Sequence, residues 1–373
     1  MTQKKRKIAI YYNLPSGGAL KMIREIIKFL KKEKYQVDIY SISEDIERRE
    51  KIENVNEIRV KPWRGFILRN LWIVSILPIF HKRMAKYIND KKYDYVLINH
   101  DYFTKCPYII KYIKLKTVYI CQEPQREFYE PARYHAPLLK DKIANILRLP
   151  IKYIDRINVS YAKKIISNSY FSNRNIQKIY KKNSDVVYPG VDKSMFVPNK
   201  GGVSNYILSI GGFTPSKGHV FVVNSIKQLL NRYKLIIVGN GRKADRDRIV
   251  EGVEKWEGKI IFLHDISEKR MIDLYQNAQL LCIGAYREPF GLSSIEAQAC
   301  GTPVVAVKSG GLTETIINNK TGYLVNRIEK KFLNACMSGI KNRSRLRINC
   351  IKNSKKWDWS NTLQKLDRII LEP

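Results

Sequence analysis

Short apolar runs of strand length alternate with amphipathic stretches of helix length along the whole chain, and this alternation restricts the possible folds more than any other property. The run KIAIYYNL (7–14) is followed by the turn SGG and then by ALKMIREIIKFLKK, where Leu20, Ile23, Ile26, Ile27 and Leu30 recur at helical spacing. YQVDIYSI (35–42), YDYVLINH (93–100), KTVYICQ (116–122), KKIISNS (163–169) and DVVYPG (185–190) read as further strands separated by helical segments. Strand, loop and helix repeated in this order specify a parallel sheet with helices on its faces. The pattern pauses at GVDKSMFVPNKGGVSN (190–205), rich in Gly, Pro, Asn and Ser, which reads as a boundary between domains. It then restarts with YILSIGGF (206–213), a helix from about His219 to Leu230, KLIIVGNG (234–241) and KIIFLHDI (259–266). A helix through EKRMIDLYQNAQ, the strand LLCIGA (280–285), a further helix, PVVAV (303–307) and GYLV (322–325) complete it. Two similar α/β halves make the cleft between them the expected ligand site.

Length agrees with two domains, since 373 residues exceed the roughly 100–200 usual for one. Cysteines 106, 121, 282, 300, 336 and 350 form no C-x-x-C pair and several lie in apolar runs, so they are expected as reduced core residues of a cytoplasmic protein. The N-terminal MTQKKRKIAIYYNL leads into a Gly-rich turn and reads as a first strand rather than a signal peptide. LWIVSILPIF (71–80) is too short to cross a bilayer, which takes about 20 residues.

Charge is the first indication of partners. The formal net charge is +34, and residues 1–200 hold 41 Lys and Arg against 19 Asp and Glu, so the excess leans to the first half. Such a field favours a polyanion, whether nucleic acid, an anionic membrane or a phosphorylated substrate; the alternative is a merely solvated Lys-rich surface. No zinc-ligand spacing or RNA-recognition signature accompanies it, and nucleic acid is not expected. The segment Lys61–Arg83, with tryptophans and apolar residues between cations, fits either a surface helix lying on acidic lipid or a buried helix of the first domain.

The chemistry concentrates in EPFGLSSIEAQACGTPVVAV (288–307). LLCIGA is a buried strand, YREPFG its exit loop, and Ser293 or Ser294 the expected cap of a helix running to Cys300, stopped by Gly301 and Pro303. Entry through Gly291 leaves backbone N–H groups at the helix mouth, which suits a phosphate. Ser293 with Glu296 three residues on also forms a capping-box pattern, so Glu296 reads either as helix punctuation or as a ligand-holding group. Glu288 lies at the carboxyl end of a parallel strand, where ligands bind in such folds.

Glu288 through Ala306 resembles the retaining glycosyltransferases of family 4 (glycosyl transferases group 1), with their two glutamates separated by seven residues in E-P-F-G-L-x-x-x-E-A-x-A-C-G-T-P-V-V-A. GGFTPSKG (211–218), VGNG, SEKRMIDLYQNAQLL, GGLTETIINNKTGYLV (310–325), LPSGGALK, SNSYFSNRNIQKIY, VVYPGVD and WDWSNTLQKLDRII are similar to other segments of that family. The resemblance implies the GT-B fold, two Rossmann-like doubly wound parallel-sheet domains facing a central cleft. The divisions are an acceptor-binding domain over 1–190, a linker over 191–205, a nucleotide-sugar-binding domain over 206–355, and a final helix over 356–373 returning to the first domain. It implies transfer of a sugar from a UDP- or GDP-sugar to a glycan or lipid-linked glycan, with retention; the basic first domain adds the expectation of peripheral contact with an anionic membrane at its cytoplasmic face.

By the same resemblance, Glu288 would hold donor-sugar hydroxyls and Glu296 the ribose hydroxyls, as carboxylates can. Backbone amides around Phe290, Gly291 and Leu292 would hold phosphates, with Pro289 also beside the donor, and Lys217 would neutralise the departing diphosphate. Gly17 and Gly18 would let the first domain's backbone approach it. Asp265 and Ile266 would lie at the base, largely through main chain. A donor phosphate oxygen would deprotonate the acceptor, so neither a protein nucleophile nor a metal or other cofactor is expected. Two positions depart from the family pattern. Gly212 stands where an Arg is usual, with Arg126, Arg242 and Arg287 as candidate substitutes, and Gln122 stands in place of a His in YICQEPQREFYEP, beside Glu123 and Arg126.

Rival readings follow from single segments. The missing Arg suits a catalytically weak or inactive nucleotide-sugar-binding protein. KLIIVGNGRKA with Asp265 has the skeleton of a dinucleotide fingerprint and would suit an NAD-dependent oxidoreductase. A sugar-nucleotide 2-epimerase would share the fold. DRD (245–247) would suit a metal-binding carboxylate pair, although acids at a helix start more simply complement its dipole.

Overall fold

The computed structural model describes residues 6–14, 17–44, 52–135, 139–241, 243–251, 256 and 258–371. They form two units. The first comprises Met1–Ala132, Leu138–Tyr188 and Leu363–Pro373; the second comprises Arg133–Pro137 and Pro189–Thr362.

Along the chain, the first half holds β1 (Lys7–Asn13), α1 (Gly18–Lys32), β2 (Gln36–Glu44), β3 (Val55–Val60), α2 (Phe66–Ser75), α3 (Leu77–Asp90), β4 (Tyr95–Asp101) and α4 (Ile109–Tyr112). It continues with β5 (Thr117–Ile120), α5 (Ala132–His135), α6 (Leu139–Leu147), α7 (Leu149–Ser160), β6 (Lys164–Ser167), α8 (Tyr170–Tyr180) and β7 (Asp185–Val186). The strands make a parallel sheet in the order β3-β2-β1-β4-β5-β6-β7. β3 escaped the sequence pattern because it is an edge strand, VNEIRV, with polar residues on its open side and only Val60 buried.

α1 shows how the sequence builds the core. Leu20, Met22, Ile23, Ile26, Ile27 and Leu30 are all buried, each contributing roughly 1.5–3 kcal/mol relative to exposure. Lys61–Arg83 is neither of the two forms expected of it alone. Trp72 and Ile73 of α2 are buried, while Trp63, Phe66, Ile67, Leu68 and Leu71 of the same segment are exposed.

The second unit holds β8 (Tyr206–Ile210), α9 (His219–Ile226), β9 (Lys234–Val238), α10 (Lys243–Glu251), β10 (Ile260–Leu263), α11 (Glu268–Asn277), β11 (Leu281–Ile283) and α12 (Leu292–Ala299). β12 (Val304–Val307), α13 (Leu312–Thr315), β13 (Gly322–Val325), α14 (Glu329–Lys341) and α15 (Arg343–Ser354) follow, and α16 (Trp359–Leu371) ends the described chain. Its sheet is also parallel, in the order β10-β9-β8-β11-β12-β13. The helix expected to Leu230 is α only to Ile226, then tightens to a 3₁₀ turn over Lys227–Asn231. Two parallel-sheet Rossmann-like units make this the GT-B fold. All six cysteines are buried thiols, and the Cys282 and Cys336 sulfurs lie 3.5 Å apart. Among the described residues no helix is long and apolar enough to cross a membrane.

Candidate functional site

In the second sheet the chain steps outward from β8 to β9 and β10, then returns to place β11 on the other side of β8. Loops leaving the carboxyl ends of β8 and β11 therefore diverge, and in open parallel sheets that reversal is where ligands bind. The two loops are tied together. The Tyr286 N–H donates to the Ser216 carbonyl at 2.8 Å, and a Cβ on Gly218 would fall 2.0 Å from the Gly284 oxygen.

Each loop delivers one charge. Lys217 ends a 3₁₀ turn over Pro215–Lys217 in the β8 loop, and Glu288 follows β11. Lys217 Nζ donates to Glu288 Oε2 at 2.8 Å, with the side chains 30% and 15% exposed. The Glu288 backbone is held from behind, where the Gly311 N–H donates to its carbonyl at 2.7 Å. The pair sets an ammonium, which stabilises an oxyanion, beside a carboxylate, which accepts hydroxyls.

Between the two glutamates lies the mouth of α12, and the cap is not the one expected. The helix begins at Leu292, its N-cap is Gly291 at φ 95°, and no side chain caps it. A positive φ favours glycine. Ser294 is inside the first turn, its Oγ 2.7 Å from both the Gly291 carbonyl and Thr315 Oγ1. With the cap at 291, Ser293 and Glu296 do not form a capping box. Glu296 is 8% exposed and its Oε2 accepts the Tyr275 hydroxyl at 2.8 Å. Burial holds the Tyr275 phenol well above its ordinary range, so it remains a donor. Phe290 is buried with its ring edge-on to Trp357 at 5.5 Å, leaving its main chain at the helix mouth. Pro289 and Leu292 are half-buried on either side of the buried Gly291.

The β8 loop is braced from below by His219, a residue the sequence pattern did not single out. Its Nε2–H donates to the Gly211 carbonyl at 3.0 Å and its Nδ1 accepts the Ser209 hydroxyl at 3.0 Å. Burial lowers its pKa to about 4, so the ring is neutral. At Gly212 a Cβ would stand 3.2 Å from the Asn240 carbonyl. Asn240 also accepts the Asp265 N–H through Oδ1 at 3.1 Å. Asp265 is exposed, Ile266 half-buried, and both lie just past β10. The Gly239–Gly241 turn follows β9, not β8, so the fingerprint behind the NAD reading does not sit at the strand reversal.

Of the substitute cations, Arg287 is half-buried with its N–H on Ser309 Oγ at 2.7 Å, and Arg242 lies outside the described residues. A further cation was not foreseen. The Arg327 guanidinium donates to the Gly284 carbonyl, stacks over Phe221 at 4.4 Å, and would meet a Cβ on Gly218 at 3.1 Å. It therefore stands against the residue that follows Lys217. Its position just after an edge strand carries no motif, so only the fold reveals it.

In the first unit, Gly17 is the N-cap of α1 at φ 94° with open space where a side chain would be, and Gly18 begins the helix. Gln122 follows β5, its Nε2 3.7 Å from Met22 Sδ. Arg126 is ion-paired within its own unit, 3.0 Å from Glu130 and 3.7 Å from Glu123, and Glu123 also meets Lys105 at 3.4 Å. Two carboxylates answer its charge. Among the described residues no group of three or more His, Cys, Asp or Glu is placed to hold a metal ion.

Comparison with known proteins gives a consistent result. Residues 191–357 match the family described as glycosyl transferases group 1, and residues 16–194 match glycosyltransferase family 4. The chain is 25% identical over 386 residues to Alpha-1,3/1,6-mannosyltransferase ALG2 of Dictyostelium discoideum, covering 89% of each. It is 24% identical over 234 residues to D-inositol 3-phosphate glycosyltransferase of Acidothermus cellulolyticus, covering 55% of this chain and 52% of that one, so it spans about half of that relative's length. Among solved structures it resembles sucrose-phosphate synthase of Thermosynechococcus elongatus, with TM-score 0.80, 20% identity and 98% of each chain covered. It also resembles Anabaena Alr3699/HepE in complex with UDP and glucose, with TM-score 0.73, 16% identity, and 99% and 100% covered.

Proposed function

This chain belongs to glycosyltransferase family 4, and we propose that it moves a glycosyl group from a nucleoside-diphosphate sugar to a hydroxyl of a glycan or lipid-linked glycan, with retention and without a metal. The observation that carries the reading is the Lys217–Glu288 pair at the strand reversal, beside a helix mouth capped by Gly291. In this reading Glu288 accepts hydrogen bonds from the donor sugar and the amides at 290–292 face the diphosphate. Lys217 stabilises the charge that grows as the anomeric C–O bond to phosphate breaks. Preorganised donors of this kind typically contribute factors of about 10²–10³ each. The acceptor oxygen forms the new bond to the anomeric carbon and its proton passes to the leaving diphosphate, so no side chain has to act as base or nucleophile. Glu296, held by Tyr275, accepts the ribose hydroxyls.

A second reading keeps binding and omits turnover. It is favoured by Gly212, which brings no cation, and by Arg126, whose charge is already paired. Nucleotide release from UDP-, GDP- and ADP-sugars, with and without acceptor and with and without EDTA, separates the two. The solved neighbour with UDP and glucose and the mannosyltransferase relative order the panel, UDP-glucose first and a mannosyl donor second. Glu288→Gln should lower turnover by about 10²-fold or more while leaving affinity for the free nucleoside diphosphate intact. Unchanged turnover would remove Glu288 from the site, and tight donor binding with no turnover on any acceptor would favour the second reading.

A further inference from the structure

Three helices of the first unit present apolar residues outward. On α2, Ile67 and Leu71 are 67% and 52% exposed; on α6, Leu139 and Ile143 are 73% and 50% exposed; on α7, Tyr153 and Ile157 are 64% and 53% exposed. Each pair is spaced i,i+4, which places both members on one side of their helix. The inward sides of α2 and α7 are filled by other residues, Trp72 and Ile73 on α2 and Ile151 and Val159 on α7, whereas none of the described residues of α6 is buried. α2 packs against both α6 and α7, and α6 against α7, so the outward pairs sit on neighbouring helices. Single exposed apolar residues are ordinary, but a repeated pair on three packed helices makes a contiguous patch, which soluble surfaces seldom carry without a partner.

The charges around the patch indicate what covers it. From residue 58 to residue 89 the chain has no Asp or Glu, and Arg64, Lys82, Arg83 and Lys86 are exposed. Along α6 and α7, Lys142 and Arg156 are exposed, whereas Asp141 is half-buried and Asp155 buried. A second copy of this chain would bring the same cations and another net charge of +34 to the contact, like charge against like. An apolar helix face bordered by Lys and Arg matches instead the boundary of an anionic bilayer, with alkyl groups beneath the phosphates and cations level with them.

We propose that the outward face of α2, α6 and α7 docks the chain on a lipid surface bearing anionic headgroups. The inference is independent of the transfer reading, since it requires neither a donor nor an acceptor.

The test uses the full chain, sedimented with vesicles of phosphatidylcholine alone or with phosphatidylglycerol as roughly a third of the lipid. Binding should be at least about ten-fold stronger to the mixed vesicles and should fall as salt rises from about 0.05 to about 0.5 M. A triple variant, Ile67→Ser with Ile143→Ser and Tyr153→Ser, changes only exposed side chains. With an unaltered thermal melt it should lose binding about ten-fold or more at low salt. Ile348→Ser, which alters a residue 69% exposed on the second unit, should leave binding as it was. Equal binding to both vesicle types, binding to neither, or a triple variant that binds like the parent would overturn the proposal. A dimer in sedimentation velocity that the triple variant abolishes would overturn it in favour of self-association.

Discussion

Tyr275→Phe tests the link between the fold of the second unit and its proposed chemistry, because it removes one oxygen and little else. The Tyr275 ring is fully buried and its hydroxyl donates to Glu296 Oε2 at 2.8 Å. Phe keeps the ring's packing against Phe196, whose centroid is 6.1 Å away. A hydrogen bond to a charged acceptor contributes about 1.5–3 kcal/mol, and its loss from a buried carboxylate is felt in full. The second unit, Pro189–Thr362 with a short added segment, lies in the size range where 1 kcal/mol shifts a melt by about 2–4 °C. A loss of about 2 kcal/mol should therefore lower its transition by roughly 4–8 °C. If Glu296 also accepts ribose hydroxyls, loosening it should raise KM for the nucleotide sugar about ten-fold, equivalent to about 1.4 kcal/mol, and leave kcat within about two-fold. The assay pairs a thermal melt with initial rates over a range of donor. A parental melt would refute the buried hydrogen bond, and a lowered melt with unchanged KM would assign the bond to stability alone and sink the ribose role.

Two further perturbations probe other links. Gly291→Ala forces a side chain into the positive φ of the α12 cap, with its Cβ 2.7 Å from Leu312 Cδ2. It should cost about 1–3 kcal/mol and lower kcat by more than about ten-fold, and parental kinetics would mean that the helix mouth does not position the donor. In the first unit, burial lowers the His81 pKa to about 3, while its Nδ1 accepts the Ile109 N–H at 3.2 Å. A folded pKa below the unfolded value of about 6.5 means that the neutral ring's contribution is whole above pH 6.5 and is lost as pH falls towards 3, by about 3 kcal/mol at pH 4. His81→Asn should be less stable at pH 7.5 but lose less on acidification; parallel pH–stability curves for the two proteins would refute the assignment.

The fold was legible because buried strands and amphipathic helices have different periods, and both are strong here. LLCIGA and PVVAV are too apolar to be loops, and α1 repeats its buried residues at helical spacing. β3 was missed because an edge strand has only one neighbour and little to bury. The glutamates 288 and 296 were legible as a motif, but their partners were not. Lys217 lies 71 residues from Glu288 and Tyr275 lies 21 from Glu296, and nothing local links either pair before β8 and β11 are placed side by side. The cap was misjudged for a similar reason. Serine is the stronger N-cap by propensity, yet the β11 exit loop brings Gly291 to the helix start in a conformation serine rarely adopts. Periodicity is also silent on which of two apolar stripes faces inward, so the outward faces of α2 and α7 emerged only from packing.

Gly212 is explained better by its neighbours than by its own absence of charge. A side chain there would press on the Asn240 carbonyl at 3.2 Å, tighter than ordinary contact. Asn240 is already engaged twice, accepting the Phe213 N–H at 3.1 Å on that carbonyl and the Asp265 N–H at 3.1 Å on Oδ1. Installing an arginine would require the Asn240 carbonyl to give by a few tenths of an ångström, against its bond from Phe213 and the Asp265 N–H on the same residue. The loop after β8 thus leaves position 212 in close contact with one neighbouring carbonyl. The positive charge at this edge then comes from Lys217, aligned by Glu288, and from Arg327 against Gly218, both held by contacts to loops that leave β8 and β11. Cations fixed in this way resemble preorganised dipoles more than mobile surface charges, and it is preorganisation, rather than the count of charges, that sets how strongly a leaving diphosphate is stabilised.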